Sequence, residues 1–388
     1  MSKEEAVLLM VVSFGAFLMP ILSKRLNVPS PVLEIIFGFV IGFFFENFVE
    51  KTEIVKFLAE LGFIILMYLA GLEINFEKIK KLSKKEIFLY GLSYILLAII
   101  SISIVNWLNL SYIYALVLYT VAIGLLYPVL KDTGILSTHF GQTLLIIGSI
   151  GEFLSLMAIT VYFVIYKEGF SFYTLKHLGE IYLFFLIAYL LLKLFKLYIW
   201  WNPKQVHTFL KTDDVAETSV RANFANMFIF VSLATLLGLE PIIGAFFGGL
   251  LFALIFKERE KITEKLASFG YGFLIPIFFI NVGLTFDIVQ FFSVDIFIKA
   301  LKLTALVLIS RFIAFLPLLL VNVSIKQIFL ISLSLSIPLT LMVAIASLGY
   351  EANIITKVEA SVILLTAILT ALIYPWMFKT IVKKYGLD

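Results

Sequence analysis

The sequence contains no cysteine and only three histidines among its 388 residues. Without cysteine there is no disulfide, no thiolate metal site and no thiol nucleophile. His139, His177 and His207 fall in polar connections or at the ends of apolar runs, so none stands in a deep site. Charge is also scarce: 14% of residues are charged and 62% are apolar. A soluble chain of this length could not cover its exterior with so few polar groups, and a mean hydropathy of +1.07 makes lipid the solvent. The apolar runs are long and continuous and lack alternating segments of ~10 residues, which favours helices over a transmembrane barrel. No His-Glu-x-x-His motif, phosphate-binding glycine loop or Gly-x-Ser-x-Gly elbow occurs. A hydrolase acting inside the membrane is excluded too, because no histidine or aspartate lies deep enough to act. The net charge of +4 implies no nucleic-acid partner, since the basic residues cluster at loop ends. No organic cofactor is expected.

What the sequence has is a series of apolar runs. Stretches of ~17 or more residues, enough to cross ~30 Å at ~1.5 Å per residue, can be marked along the chain. They lie at roughly 5–22, 31–48, 54–72, 86–107, 111–130, 137–166, 178–200, 217–237, 240–256, 267–284, 296–319, 325–348 and 358–381. Thirteen spans put the termini on opposite sides. With the C-terminus inside, 20 basic residues collect on the inner side, among them Lys24, Arg25, Lys84, Lys85, Lys326, Lys383 and Lys384. Six fall outside: Lys3, Lys51, Lys56, Lys167, Lys176 and Lys357. This asymmetry is what the positive-inside rule requires, so the expected topology is N-terminus outside, C-terminus cytoplasmic, in the cell membrane. The first run follows an acidic Met1-Ser-Lys-Glu-Glu5 without a small-x-small cleavage site and reads as a retained helix. The longest polar connection is Trp201–Val215, so residues 1–388 are expected to form one transmembrane domain with no soluble domain.

An ionisable residue at mid-membrane is costly and survives mostly where it pairs or serves a pathway. Two qualify. Glu152 lies near the middle of its span, and Arg311 lies at similar depth in a span of opposite direction. Glu60, Lys299 and Lys302 sit in the outer thirds of theirs, where lysines snorkel. Glu34 and Glu73 are at span ends and read as interfacial. Two spans also contain proline and hydroxyl residues: Leu118-Tyr-Thr-Val-Ala-Ile-Gly-Leu-Leu-Tyr-Pro128 and Ile331-Ser-Leu-Ser-Leu-Ser-Ile-Pro338. Such breaks are tolerated where freed backbone groups line a polar cavity, so Pro128 and Pro338 mark expected helix breaks. Each broken span is the middle of a three-span block, roughly 86–166 around Glu152 and 296–381 around Arg311. The blocks start seven spans apart and therefore have opposite orientation. An all-α membrane protein with inverted repeats and broken crossing helices is a transporter architecture.

Three stretches carry a family resemblance. Leu58-Ala-Glu-Leu-Gly-Phe-Ile-Ile-Leu-Met-Tyr-Leu-Ala-Gly-Leu-Glu73 resembles the third span of the monovalent cation:proton antiporters, the Na⁺/H⁺ exchangers. Glu240-Pro-Ile-Ile-Gly-Ala-Phe-Phe-Gly-Gly-Leu-Leu-Phe-Ala253 and Pro276-Ile-Phe-Phe-Ile-Asn-Val-Gly-Leu-Thr-Phe-Asp287 are similar to other recurrent segments of that family. The resemblance covers nearly the whole chain in order. It implies thirteen helices, a core domain, a dimerisation domain formed by the remaining helices, a homodimer, and Na⁺/H⁺ exchange by an elevator-like movement. It places the family's ion-binding aspartate on Glu152, its basic partner on Arg311 and its crossing helix on the stretch carrying Thr120. The position before the carboxylate, usually Asp, Asn or Gln, is Gly151 here.

The chemistry requires one group that holds either a proton or a cation. Na⁺ or Li⁺ would take a Glu152 oxygen together with hydroxyls and backbone carbonyls. Ser149 and Ser155, three residues to either side, share the helical face of Glu152, and Thr120 offers another oxygen from the broken helix. With Gly151 lacking a side chain, Glu152 is the one mid-membrane carboxylate on its helix, so exchange is expected to be electroneutral. K⁺/H⁺ exchange, or a non-transporting membrane sensor or subunit that retains the fold, stays open at this point.

Overall fold

The computed structural model describes residues 3–26, 28–44, 53–73, 82–168, 172–201, 218–255, 260–285 and 293–385. Lys51, Lys78, Lys80, Lys81, Lys204, His207, Lys211, Asp213, Asp214, Glu217, Lys257, Arg259 and Asp287 lie outside the described residues. In chain order the helices are α1 (Lys3–Leu26), α2 (Ser30–Phe44), α3 (Glu53–Glu73), α4 (Lys84–Trp107), α5 (Ile113–Tyr119), α6 (Leu126–Asp132), α7 (His139–Glu168), α8 (Phe172–Trp201), α9 (Thr218–Leu236), α10 (Pro241–Ile255) and α11 (Glu260–Phe269). A π-helical turn at Gly270–Leu274 leads into α12 (Ile275–Thr285). Then follow α13 (Val294–Ala314), a 3₁₀ turn at Leu316–Val321, α14 (Ile325–Leu335), α15 (Leu339–Glu351) and α16 (Lys357–Tyr385). Among the described residues the structure is entirely helical, as hydrocarbon demands of a backbone with no water to bond.

Among the described residues seven helices are long and apolar enough to cross a membrane, or eight if α14 and α15, bent by 43° at their break, count as one span. That is fewer than the thirteen runs read from hydropathy, because the other five runs give short apolar helices (30–44, 182–191, 220–236 and 241–255) or the broken stretch 113–132.

Local signals explain where several of the helices begin. Ser83 caps α4, and Ser324 caps α14, each in a reciprocal capping box with Glu86 and Gln327. Thr356 and Glu359 make the same pair at the start of α16, with a Thr356 N–H donated to Glu359 at 2.9 Å. Asn109, Asn322 and Asn353 adopt positive φ of 51°, 60° and 55° in the short connections that precede α5, α14 and α16. Asparagine tolerates this left-handed backbone better than other residues with a side chain.

The chain divides into two compact units. The first comprises residues 1–18, 50–76 and 160–281. Its centre is the pair α3–α10, which touch backbone to backbone. A Cβ on Gly71 would fall 2.1 Å from the Phe246 carbonyl oxygen, and one on Gly249 would fall 2.1 Å from that of Tyr68. Small residues permit this approach where no hydrophobic effect drives helices together. Beside it the buried Tyr68 hydroxyl donates to Asn223 Oδ1 at 2.8 Å and accepts from Asn226 Nδ2 at 3.0 Å. The second unit comprises residues 19–49, 77–159 and 282–388. It holds both broken helices and every candidate site residue.

Candidate functional site

The first break runs from Thr120 to Leu125, between α5 and α6. Thr120 leaves the helix with extended backbone (φ −63°, ψ 133°). Its amide still closes α5 by donating to the Leu116 carbonyl at 2.8 Å, but the groups beyond have lost their helical partners. Two other helices supply them. Ser155 of α7 accepts from the Val121 N–H at 2.8 Å while its own hydroxyl donates to the Gly151 carbonyl at 2.6 Å. Arg311 of α13 donates Nη2 to the Thr120 carbonyl, and Nη1 to the Val307 carbonyl of its own helix at 2.8 Å. A fully buried cation thus stands at the C-terminal end of α5, where the helix dipole is negative.

The second break lies at Ser336–Pro338, between α14 and α15. Pro338 is the N-cap of α15, and its missing N–H is not needed there. The freed hydroxyls fold back on their own helix: Ser332 donates to Ile328, Ser334 to Ile331 and Ser336 to Ser332, at 2.9, 2.8 and 2.6 Å.

The two breaks meet. A Cβ on Gly124 of the first would lie 3.8 Å from the Thr340 methyl just beyond the second. Gly148 of α7 fits against both, since a Cβ there would fall 2.6 Å from Ile123 and 3.5 Å from Leu335. Glu152 sits one turn further along α7 and is only 1% exposed. The helix that carries the carboxylate is therefore pressed into the crossing point.

The structure places Glu152, Ser149, Ser155, Thr120 and Arg311 in one unit, and joins Ser155 and Arg311 to the stretch that begins at Thr120. The hydroxyls are each engaged as donors to their own backbone: Thr120 to Val117 at 3.0 Å, Ser149 to Leu145 at 2.8 Å, and Ser155 to Gly151. Their lone pairs, not their protons, are what a cation could use. Among the described residues Arg311 makes no ion pair, and its hydrogen bonds go to carbonyls. Pro128 does not mark the first break. It lies in the first turn of α6, after the chain has resumed its helix, where a proline costs nothing.

Glu34, read as interfacial, is 3% exposed and accepts from the Ser30 hydroxyl at 2.7 Å. Glu60 is exposed on α3, and Lys299 is exposed and pairs with Asp295 at 2.6 Å. One residue of the site carried no signal in the sequence. Tyr94 of α4 is buried, donates to the Ile147 carbonyl at 2.6 Å, and packs its ring against Gly151.

A buried carboxylate beside two neighbouring helix breaks, within a fold of long apolar helices, is an arrangement found in inverted-repeat transporters. The comparisons with known proteins give the family. The family described as "Sodium/hydrogen exchanger, transmembrane" matches residues 13–384, and the chain belongs to it. The putative Na(+)/H(+) antiporter YjbQ of Bacillus subtilis is 29% identical over 404 residues, which cover 99% of this chain and 64% of that protein. This chain thus spans under two thirds of that relative's length. The Na(+)/H(+) antiporter of Enterococcus hirae is 25% identical, with 94% of each chain covered. The structure of the sodium proton antiporter MjNhaP1 from Methanocaldococcus jannaschii at pH 8 has the same fold, with a TM-score of 0.71 over 97% of this chain and 98% of that one, at 16% identity.

Proposed function

We propose that the chain is a secondary active transporter exchanging Na⁺ (or Li⁺) for H⁺ across the cell membrane, with Glu152 holding cation and proton in turn. The observation that carries this reading is the place of Glu152, a carboxylate 1% exposed on the helix that fits into both breaks. An ionisable group in hydrocarbon is costly, and extended backbone at that depth supplies carbonyls and half-helix ends suited to a bare cation. The relatives named as Na⁺/H⁺ antiporters support the same pair of ions.

In this reading a cation is held by Glu152 with oxygens from Ser149 and Thr120. Ser155 already accepts from Val121 and serves first as a tether. Arg311 stands as counter-charge in the stage when Glu152 has released both its ions. It cannot be the proton carrier, because guanidinium does not deprotonate in proteins. The ion-carrying part is the second unit, with its blocks at roughly 86–166 and 296–381. The remaining helices serve as scaffold and as the contact of a homodimer, and the N-terminus lies outside with the C-terminus in the cytoplasm.

The test is Na⁺-driven proton movement in proteoliposomes of purified protein. Glu152→Gln keeps size and hydrogen bonding but removes the titrating charge, so exchange is expected to vanish while insertion and purification remain normal. Glu152→Asp should keep part of the activity. Normal exchange in Glu152→Gln sinks the proposal. Response to K⁺ in place of Na⁺ would make this a K⁺/H⁺ exchanger, and response to no cation would leave a sensor or subunit. One carboxylate carries one proton, so a clamped membrane potential, worth ~2.3 kcal/mol per charge per 100 mV, should not move the Na⁺ gradient of zero flux.

A further inference from the structure

We propose that Tyr94 is a positioning residue of the exchange site, its phenol standing in the space beside Glu152 that a side chain at position 151 would fill and joining the Arg311 side of the site to the turn of α7 that bears the carboxylate. The inference rests on the reading of Glu152 as the ion-binding group.

Three observations support it. A Cβ built on Gly151 would lie 2.3 Å from the Tyr94 hydroxyl oxygen and 2.7 Å from its Cζ, so the glycine and the phenol are cut to each other and no larger residue fits at 151. The hydroxyl donates to the Ile147 carbonyl at 2.6 Å. That carbonyl is the one an α-helix pairs with the N–H of residue 151, so the phenol engages the turn immediately preceding Glu152. On its other side the ring meets Phe315 edge to face at 5.5 Å and 88°, and the Phe315 N–H donates to the Arg311 carbonyl at 2.9 Å. The side chain is fully enclosed.

Tyr94 therefore contributes a neutral, polar group where the sequence at 151 contributes none. A neutral hydroxyl there orients the carboxylate-bearing turn without adding a charge that would compete for the cation. Because α4 supplies Tyr94, the turn preceding Glu152 is held by a helix besides its own.

Tyr94→Phe separates the hydroxyl from the ring, since the phenyl keeps its contacts with Phe315 and Gly151. In proteoliposomes the expected result is a rise of about three- to tenfold in KM for Na⁺, the effect of one lost hydrogen bond, with maximal rate changed by less than about twofold and an unchanged melting temperature in detergent. Gly151→Ala pushes a methyl into the same phenol and is expected to raise KM by a similar route. The double variant should then be no worse than Gly151→Ala, as residues in one contact are not additive. Wild-type exchange with an unchanged KM in Tyr94→Phe, or full additivity in the double variant, overturns the role of Tyr94 and leaves the exchange reading standing. If wild type itself moves no protons with any monovalent cation, the exchange reading falls and this inference falls with it.

Discussion

The two broken helices solve the same problem by different means. In the first, the chain leaves its helix at Thr120 with extended backbone, and the loose backbone groups are met by side chains from elsewhere: Ser155 on the Val121 amide and Arg311 on the Thr120 carbonyl. In the second, residues 336–338 are a short turn, and Ser332, Ser334 and Ser336 bond back to carbonyls of their own helix. The first break is thus defined by its surroundings and the second by itself. A break of the first kind can register changes in the helices that hold it. One of the second kind serves as a fixed stop against which the other is placed, with Thr340 facing Gly124.

Mutations should separate the two kinds. The largest effect is expected from Arg311→Ala, which deletes the donor to Thr120 and leaves a cavity where a fully buried side chain stood. Unfolding free energy should fall by about 3 kcal/mol or more, and exchange should be lost. Arg311→Lys should retain more of both, since the charge remains although the forked geometry does not. Unchanged melting and transport in the alanine variant would break the comparison at its root. An intermediate effect is expected from Ser155→Ala, which leaves the Val121 N–H buried without its acceptor and should cost about 1–3 kcal/mol with reduced exchange. Ser155→Thr keeps the hydroxyl and should recover most of the loss, measured by thermal melting and by transport. The smallest effect is expected at the second break. Ser336→Ala removes a hydroxyl that bonds only its own helix among the described residues, and stability should stay within about 0.5 kcal/mol. A large loss there would mean that the second break also answers to its surroundings.

The long apolar helices were legible because hydropathy reports lipid directly, although among the described residues seven or eight of the thirteen expected spans are long enough to cross, and Glu152 and Arg311 stood out because charge in such runs is rare. The position of the first break was not legible. Pro128 drew attention to the wrong turn, since proline in the first turn of a helix disturbs nothing. Nothing in Thr120-Val-Ala-Ile123 breaks a helix by itself, and what holds it open comes from α7 and α13, far away in sequence. Glu34 misled in a simpler way, because nearness to a span end is not exposure. Tyr94 was invisible for the same reason as the break: an aromatic residue in an apolar run looks like core, and the bare Gly151 that it explains belongs to another helix.

The glycine contacts of the first unit carry a mechanical consequence. Where Gly71 rests on Phe246 and Gly249 on Tyr68, no layer of side chains separates α3 from α10. Side chains act as bearings: they change rotamer and let helices slide or roll over one another. Two backbones in direct touch have no such freedom, because a displacement along either axis runs a carbonyl into the next residue's Cβ. The pair is a welded beam, and any relative movement of helices within this unit has to be taken up at joints other than this one.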